Sequence, residues 1–312
     1  MRIVFFCKGI RGRECLKHLC KKGADLSMIV LQQGDSLAEE YSAIGRQCAA
    51  EIHTPSDPNS KDFLDRLKKE NADVFVLAGY GLILNKECLS IPKLNCINLH
   101  GGKLPQYRGS SPLNWALING EEKIGISVIE VDEGIDSGDV LAEKEMVVDP
   151  NTTISDLHEW ANHQFPKLLH AALEQLSNGT LKPQKQNHDH SAYYPRRFPD
   201  DGMIFWDQFT AREVHNRIRA LTKPYPCART FFGNREVILL KSELTKFPYY
   251  GEAGRIYRKN NGKLLIGTKD RALWITCAQF TEDQSPLYPE VKRYDLLSTI
   301  REAAIEHYRN LS

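Results

Sequence analysis

Short apolar runs alternate with helical patterns through the first half of the chain. Ile3–Cys7 is an apolar run of strand length, and Met28–Leu31, Val74–Ala78 and Cys96–Leu99 repeat it. Runs this short, set between polar residues and glycine, mark strands buried on both faces. Between them, Cys15, Leu16, Leu19 and Cys20 fall at helical spacing before Gly23, and Ser60 stands where it can cap a helix carrying Phe63, Leu64 and Leu67. This rhythm predicts an α/β fold of the Rossmann-like, doubly wound kind, with helices on both faces of a parallel sheet. Such sheets present their ligands at the carboxyl ends of the strands, where the loops gather.

From Ile126 to Val148 the pattern changes to two extended segments, ISVIEVD and DVLAEKEMVV, flanking the loop EGIDSG. The spacing of Leu157, Trp160, Ala161, Leu168, Leu169 and Leu173 then predicts one long helix from Thr152 to Leu176. A first domain over residues 1–180 follows, with a polar linker rich in His, Gln and Pro over 181–204. Beyond it, Thr210 and Glu213 form a capping-box pair ahead of Val214, Ile218 and Leu221, and Pro224 and Pro226 end that helix. REVILLKSEL, GRIYR, KLLIGT and ALWITCAQF read as short strands, one pair joined by a turn ending at Gly262. Residues 205–312 therefore read as a small β-barrel, OB-like, closed by a helix from Tyr294 to Tyr308.

Composition adds limits. The net charge of +1 makes no demand for nucleic acid or an anionic membrane, and no apolar run nears the roughly 20 residues that span a bilayer. The opening MRIVFFCKGIRGREC reads as a buried strand and not as a signal peptide. Eight cysteines without a CxxC pair read as reduced, structural thiols. His53, His158, His163, His188 and His190 have no ligand-like spacing, so no metal is expected.

The densest chemistry lies in NCINLHGGKLPQYRGSSPLNWALINGEEKIGISVIEVDEGIDSGD. Asn98 and His100 alternate at the end of a buried strand and so project to one face. Asp136 sits in a glycine-bounded turn between two extended segments. An Asn, a His and an Asp in one cleft suit acyl transfer to an amine. Neutral imidazole takes a proton, the carboxylate orients and stabilises the imidazolium, and the carboxamide donates to the developing oxyanion. The amine itself attacks, so no covalent nucleophile is needed. Each residue also has a plain structural reading: the histidine satisfied in the core, the aspartate holding its turn, the asparagine capping a loop.

NLHGGKLPQYRGSSPLNWALINGE followed by GIDSGD resembles the signature of the 10-formyltetrahydrofolate-dependent formyltransferases: Asn-x-His, a loop ending Leu-Pro-x-x-Arg-Gly, then Asp-x-Gly. The resemblance implies the formyltransferase fold, with Asn98, His100 and Asp136 as catalytic residues and 10-formyltetrahydrofolate as donor. AGYGLILNKECLSIPKLNCINLH is similar to the family's folate-side loop, which places Tyr80, Gly81, Leu82 and Ile83 along the pterin. FWDQFTAREVHNRIRALTKPYPCARTFF is similar to the start of its C-terminal barrel. One departure is His100-Gly101-Gly102-Lys103, where many members read His-Pro-Ser or His-Gly-Ser followed by Leu.

Two branches of the family share this layout, one acting on methionyl-tRNA and one on nucleotide-diphosphate-linked amino sugars. The tRNA branch has a basic, Gly-rich insertion after the second strand; here LQQGDSLAEEYSAIGRQC is acidic. PLNWALINGE and YYPRRFPDDG resemble sugar-acting members, among them the UDP-aminoarabinose formyltransferase domain. The resemblance thus implies a cytoplasmic sugar N-formyltransferase of surface-glycan or lipid A type, binding folate and a nucleotide-linked amino sugar. It implies neither nucleic-acid binding nor membrane insertion, and leaves a homodimer open. Methionyl-tRNA formyltransferase and a non-catalytic folate or nucleotide-sugar binding module are the alternatives. Lys8 and Arg11, in a loop leading into a helix, suit a diphosphate, or face solvent. Arg196 and Arg197 meet phosphate, or clamp the linker. Tyr107 stacks near the sugar or base, or anchors packing. Arg108 touches substrate, or holds its loop.

Overall fold

The computed structural model describes residues 1–299 and 304. It divides into two compact units, the first comprising Met1–Pro112, Lys123–Val147 and His158–Pro195, the second Leu113–Glu122, Val148–Leu157 and Arg196–Ser312. The linker expected over 181–204 is thus divided, with everything before Arg196 belonging to the first unit. Two short stretches inside the expected first domain belong to the second.

In chain order the elements run β1 (Arg2–Cys7), α1 (Gly9–Lys21), β2 (Asp25–Leu31), α2 (Ala38–Gln47), β3 (Glu51–His53), α3 (Lys61–Lys69), β4 (Val74–Ala78), α4 (Lys86–Leu89) and β5 (Asn95–His100). They continue with β6 (Arg108–Gly109), α5 (Pro112–Ile118), β7 (Lys123–Glu130), β8 (Val140–Val147), α6 (Ile154–Ser177) and β9 (Tyr193–Tyr194). Seven strands form one sheet in the order β3-β2-β1-β4-β5-β7-β8. The first five are parallel. β7 and β8 extend the sheet antiparallel, because the chain returns from the carboxyl end of β5 without a crossover.

Period-two alternation divides β1 between two cores. Val4 and Phe6 pack with Met28, Val30, Phe75 and Leu77 against Phe63, Leu64 and Leu67 of α3. Ile3, Phe5 and Cys7 turn to the other face. Burying one such side chain is worth about 1.5–3 kcal/mol, so this strand anchors both layers. Strand order reverses between β1 and β4, which makes the loops after Cys7 and Ala78 neighbours; the Lys8 N–H donates to the Ala78 carbonyl at 3.1 Å. A crevice at such a reversal is where open α/β sheets take ligands.

The cysteine expectation needs one correction. Cys20 and Cys48 are joined as a disulfide, their Cα atoms 5.6 Å apart. Packing of α1 on α2 brings the ends of the two helices together, a proximity that separation along the chain conceals. Cys7, Cys15, Cys88, Cys96 and Cys227 are buried free thiols, and Cys277 is exposed.

In the second unit, α7 (Ala211–Ala220) begins with the expected reciprocal cap: the Thr210 N–H donates to Glu213 Oε2 at 2.8 Å and the Glu213 N–H to Thr210 Oγ1 at 3.2 Å. Residues of α7 are hydrogen-bonded to two neighbouring chain segments. Asn114 donates to the Ala220 carbonyl, His215 Nε2 to that of Pro150, and Arg219 to those of Asp149 and Thr152. These bonds explain why the stretches around Asn114 and Pro150 cluster with this unit. Then follow β10 (Ala228–Phe232), β11 (Arg235–Leu244), β12 (Ile256–Asn260), β13 (Lys263–Ile266), β14 (Leu273–Phe280) and α8 (Leu287–Glu290). The five strands make an antiparallel sheet ordered β10-β11-β14-β13-β12. Leu296 bridges to Arg255 before β12 and Ser298 to Phe231 of β10, joining the two sheet edges in a barrel-like closure. Residues 294–299 carry these bridges, where a helix was expected; the rest of that expected helix lies outside the described residues, Ala304 apart.

Candidate active site

β5 delivers two of the expected catalytic side chains. It runs between β4 and β7, so its residues are held from both sides. Asn98 is half-buried at its end and His100, two residues on, is 5% exposed. His100 Nε2 lies 2.6 Å from the carbonyl oxygen of Tyr107. A carbonyl only accepts, so Nε2 carries the proton. That leaves Nδ1 facing Asp136, whose Oδ1 is 3.4 Å away.

Asp136 sits at φ +51°, a conformation that an Asp adopts more readily than most residues because its short side chain bonds locally. Its second oxygen, Oδ2, accepts the Gly109 N–H at 2.9 Å. Gly109 itself has φ +91°, and a Cβ there would lie 2.4 Å from the Tyr194 carbonyl oxygen, so glycine is required. At Gly102 a Cβ would lie 2.6 Å from the Tyr107 carbonyl and 2.7 Å from His100 Nε2. The bare glycine lets that carbonyl close onto the imidazole.

Burial pushes the His100 pKa down from the ordinary histidine value; Asp136 and the Tyr107 carbonyl oppose this, and the charges of Arg11 and Arg108 add to it. The net direction is downward. In its neutral form, with the proton on Nε2, the ring turns its Nδ1 lone pair toward a carboxylate. A proton arriving at Nδ1 is then shared with Asp136, which is the arrangement a base needs when it strips an amine.

Arg108 is 1% exposed and spends its guanidinium inside the fold. Nε and Nη2 donate to Gln186 Oε1 at 3.0 and 2.7 Å, Nη2 lies 3.1 Å from His188 Nδ1, and Nη1 donates to the Tyr193 hydroxyl at 2.8 Å. These bonds hold the shape of the loop. β6 pairs with β9 in parallel, fixing Arg108 opposite Tyr193 and Gly109 opposite Tyr194. Tyr107 is buried, its ring stacked on Tyr194 at 4.9 Å between centroids.

The loop after β1 is likewise occupied. The Gly9 N–H at the start of α1 donates to Asp35 Oδ2 at 2.6 Å, so a carboxylate of the chain already sits where a diphosphate was expected. Arg11 turns inward, donating to the Leu99 carbonyl at 3.3 Å with its guanidinium 4.7 Å from the Phe165 ring centroid. Lys8 is half-buried at the cap position of α1. Arg196 and Arg197 belong to the second unit. Arg196 is exposed, and Arg197 lies 4.7 Å over the Trp115 ring and donates to the Asp201 carbonyl at 2.9 Å.

The loop after β4 is open where the others are closed. Its backbone is braced: Gly81 N–H donates to Gln32 Oε1 at 2.8 Å, and Asn59 donates to the Ile83 carbonyl at 2.9 Å. Two of its side-chain groups are left unengaged. Ile83 is 87% exposed, and the buried Tyr80 hydroxyl has no hydrogen-bond partner in the chain. Gln186, Tyr193, Tyr194 and the Gly109 N–H were missed by sequence reading. All but Gly109 lie in the stretch read as linker, and no periodicity marks them.

Among the described residues no helix is long and apolar enough to cross a membrane, and no group of three or more His, Cys, Asp and Glu is gathered as for a metal ion. The formyl transferase family model matches residues 1–173, and the model of the formyl transferase C-terminal domain matches residues 198–287. Methionyl-tRNA formyltransferase of Thermodesulfovibrio yellowstonii is 33% identical over 286 residues, 89% of this chain and 90% of that protein. Bifunctional polymyxin resistance protein ArnA of Wigglesworthia glossinidia brevipalpis is 31% identical over 90% of this chain, which spans only 43% of ArnA. The fold is shared with an N-formyltransferase of Helicobacter canadensis solved with folinic acid and dTDP-3-aminofucose (TM-score 0.70, 20% identity, 88% of this chain and 98% of that one). The chain belongs to the formyl transferase family. It is an enzyme that transfers formyl groups.

Proposed function

We propose that this enzyme moves the formyl group of 10-formyltetrahydrofolate onto the amine of a nucleotide-diphosphate-linked amino sugar. Tyr80, Gly81, Leu82 and Ile83 take the folate: the buried, unpartnered Tyr80 hydroxyl offers a hydrogen bond and the exposed Ile83 an apolar surface for a flat ring. The acceptor amine attacks the formyl carbon. Asn98 donates to the oxygen as it gains charge, and the proton leaving the amine passes to Nδ1 of His100, where Asp136 stabilises it; the intermediate then collapses by breaking the bond from the formyl carbon to N10, which takes that proton as tetrahydrofolate leaves. His100 keeps its orientation throughout because Nε2–H stays on the Tyr107 carbonyl. Removing a donor such as Asn98 costs about 2.7–4 kcal/mol of barrier.

The acceptor reading is carried by the segment after β2. It is short and folds into α2 with Glu39 and Glu40 in its first turn, and Arg13 of α1 is engaged by Glu40 at 2.9 Å. A tRNA acceptor calls for a basic surface there, because phosphate contacts dominate such binding. A methionyl-tRNA acceptor is the second reading, favoured by the 33% identity to the Thermodesulfovibrio enzyme over nearly all of both chains.

The test is a mass-spectrometric transfer assay with 10-formyltetrahydrofolate, a panel of nucleotide-linked amino sugars, and methionyl-tRNA in parallel. Formyl gain on a sugar nucleotide alone is the expected result. Gain on the tRNA alone overturns the sugar reading.

A further inference from the structure

Gln186 lies in a polar stretch that no motif distinguishes, yet it is 7% exposed and uses every hydrogen-bonding position of its carboxamide. Its oxygen accepts both Nε–H and Nη2–H of Arg108, at 3.0 and 2.7 Å. Its nitrogen donates to the Asp136 carbonyl at 2.9 Å and to the Gly138 carbonyl at 2.6 Å. One side chain therefore ties the Arg108 loop to the turn that carries Asp136. The backbone holds it in place: Gln184, two residues earlier, pairs with Val140 in both directions, its N–H donating at 2.9 Å and its carbonyl accepting at 2.8 Å. Val140 begins β8, just after that turn.

The turn needs such a tie. Asp136 is at positive φ, and among the described residues its carboxylate meets the site through the Gly109 N–H and His100. Gly109 adjoins Arg108, so the two ends of the Gln186 bridge fix the donor of one Asp136 bond and the backbone of Asp136 itself. We propose that Gln186 is a positioning residue for formyl transfer, holding the Asp136 carboxylate against His100 by donating to the Asp136–Gly138 turn while accepting from Arg108. The proposal rests on the assignment of Asp136 to the chemistry given above. It extends that assignment to a residue that touches no reacting atom.

The two halves of the carboxamide separate by substitution. Q186E keeps the acceptor for Arg108 but faces two carbonyl oxygens with a carboxylate, so the turn is pushed away while the Arg108 loop stays anchored. Misplacing a catalytic group by about 1 Å costs about 100-fold, so kcat of Q186E is expected to fall by about 10- to 100-fold with KM for 10-formyltetrahydrofolate unchanged. Q186M carries no charge and serves if the buried carboxylate of Q186E prevents folding. In Q186M the acid-side midpoint of the kcat–pH profile is expected to move to lower pH, because Asp136 no longer supports protonated His100 against burial and the charges of Arg11 and Arg108. A role confined to holding the Arg108 loop would leave Q186E at the wild-type kcat, and that result, or an unmoved midpoint in folded Q186M, overturns the proposal. D136A run beside them keeps the two claims apart. If D136A transfers formyl at the wild-type rate, the catalytic assignment fails; if D136A is inactive and Q186E is normal, only the role of Gln186 fails.

Discussion

Around His100 the polar groups are joined to one another within the chain, whereas along Tyr80–Ile83 the backbone is braced, Ile83 is exposed and the Tyr80 hydroxyl has no partner among the described residues. Both regions sit at carboxyl ends of adjacent parallel strands, β5 and β4, so topology does not separate them. In the proposed function, what separates them is the task. Groups that move a proton must already stand in place, since reorganisation during the reaction raises the barrier. A surface that takes a flat ring gains by exposing apolar area and an unsatisfied hydroxyl until the ligand arrives. Substitutions in the closed region should therefore strike kcat or folding, and those in the open loop should strike KM.

The largest effect is expected at His100. H100A removes both the base and the anchor on the Tyr107 carbonyl, and steady-state assays should show kcat reduced by about 100- to 10,000-fold, the range for loss of a general acid–base group. R108M comes next and shows in stability. It strips donors from buried Gln186 and from Tyr193, for a loss of about 2–4 kcal/mol in urea unfolding. G109A, forced into positive φ against the Tyr194 carbonyl, should cost about 1–3 kcal/mol by the same measurement and lower kcat through the lost Asp136 bond. In the open loop, I83A should raise KM for the folate donor by about tenfold with kcat kept, the pattern of uniform binding loss. A fall in kcat with KM unchanged would erase the contrast drawn between the two regions.

A separate test probes one buried histidine by pH. His158 is pushed down to about 4, chiefly by burial and also by the Arg11 charge. The unfolded chain, near 6.5, takes the proton first, so this contribution to stability is whole above about pH 6.5 and is lost as pH falls toward 4. Urea midpoints of the wild type should decline across that window, and H158Q should flatten the decline.

Much of this architecture was legible because it is local. The apolar runs at β1, β4 and β5 and the Thr210–Glu213 cap each carry their own signal, and the Asn98, His100 and Asp136 trio stood out as a spaced motif. The structure brings His100 and Asp136 together, with Asn98 on the same strand as His100. What stayed hidden depends on long-range pairing. Gln184 and Gln186 gain meaning only beside Val140 and Arg108, and a polar stretch gives no sign that it will be buried. The intrachain partners of Arg11 and Arg108 stayed hidden for a related reason. An arginine in a glycine-rich loop looks available to an anion, yet carbonyls and amides of the chain itself engage both. The Cys20–Cys48 link was invisible in the same way, since two helices had to pack before the thiols met.

The central claim is that the pre-formed His100–Asp136 pair performs the proton transfer of formyl transfer. Its most direct test is a single-turnover measurement of D136N against wild type, with 10-formyltetrahydrofolate and acceptor saturating. The asparagine keeps the size of the side chain but loses the charge that supports a proton on Nδ1. The account predicts normal donor binding, a transfer rate lower by about 100-fold or more, and an acid limb moved to lower pH. A D136N enzyme that transfers at the wild-type rate with an unmoved limb would contradict it.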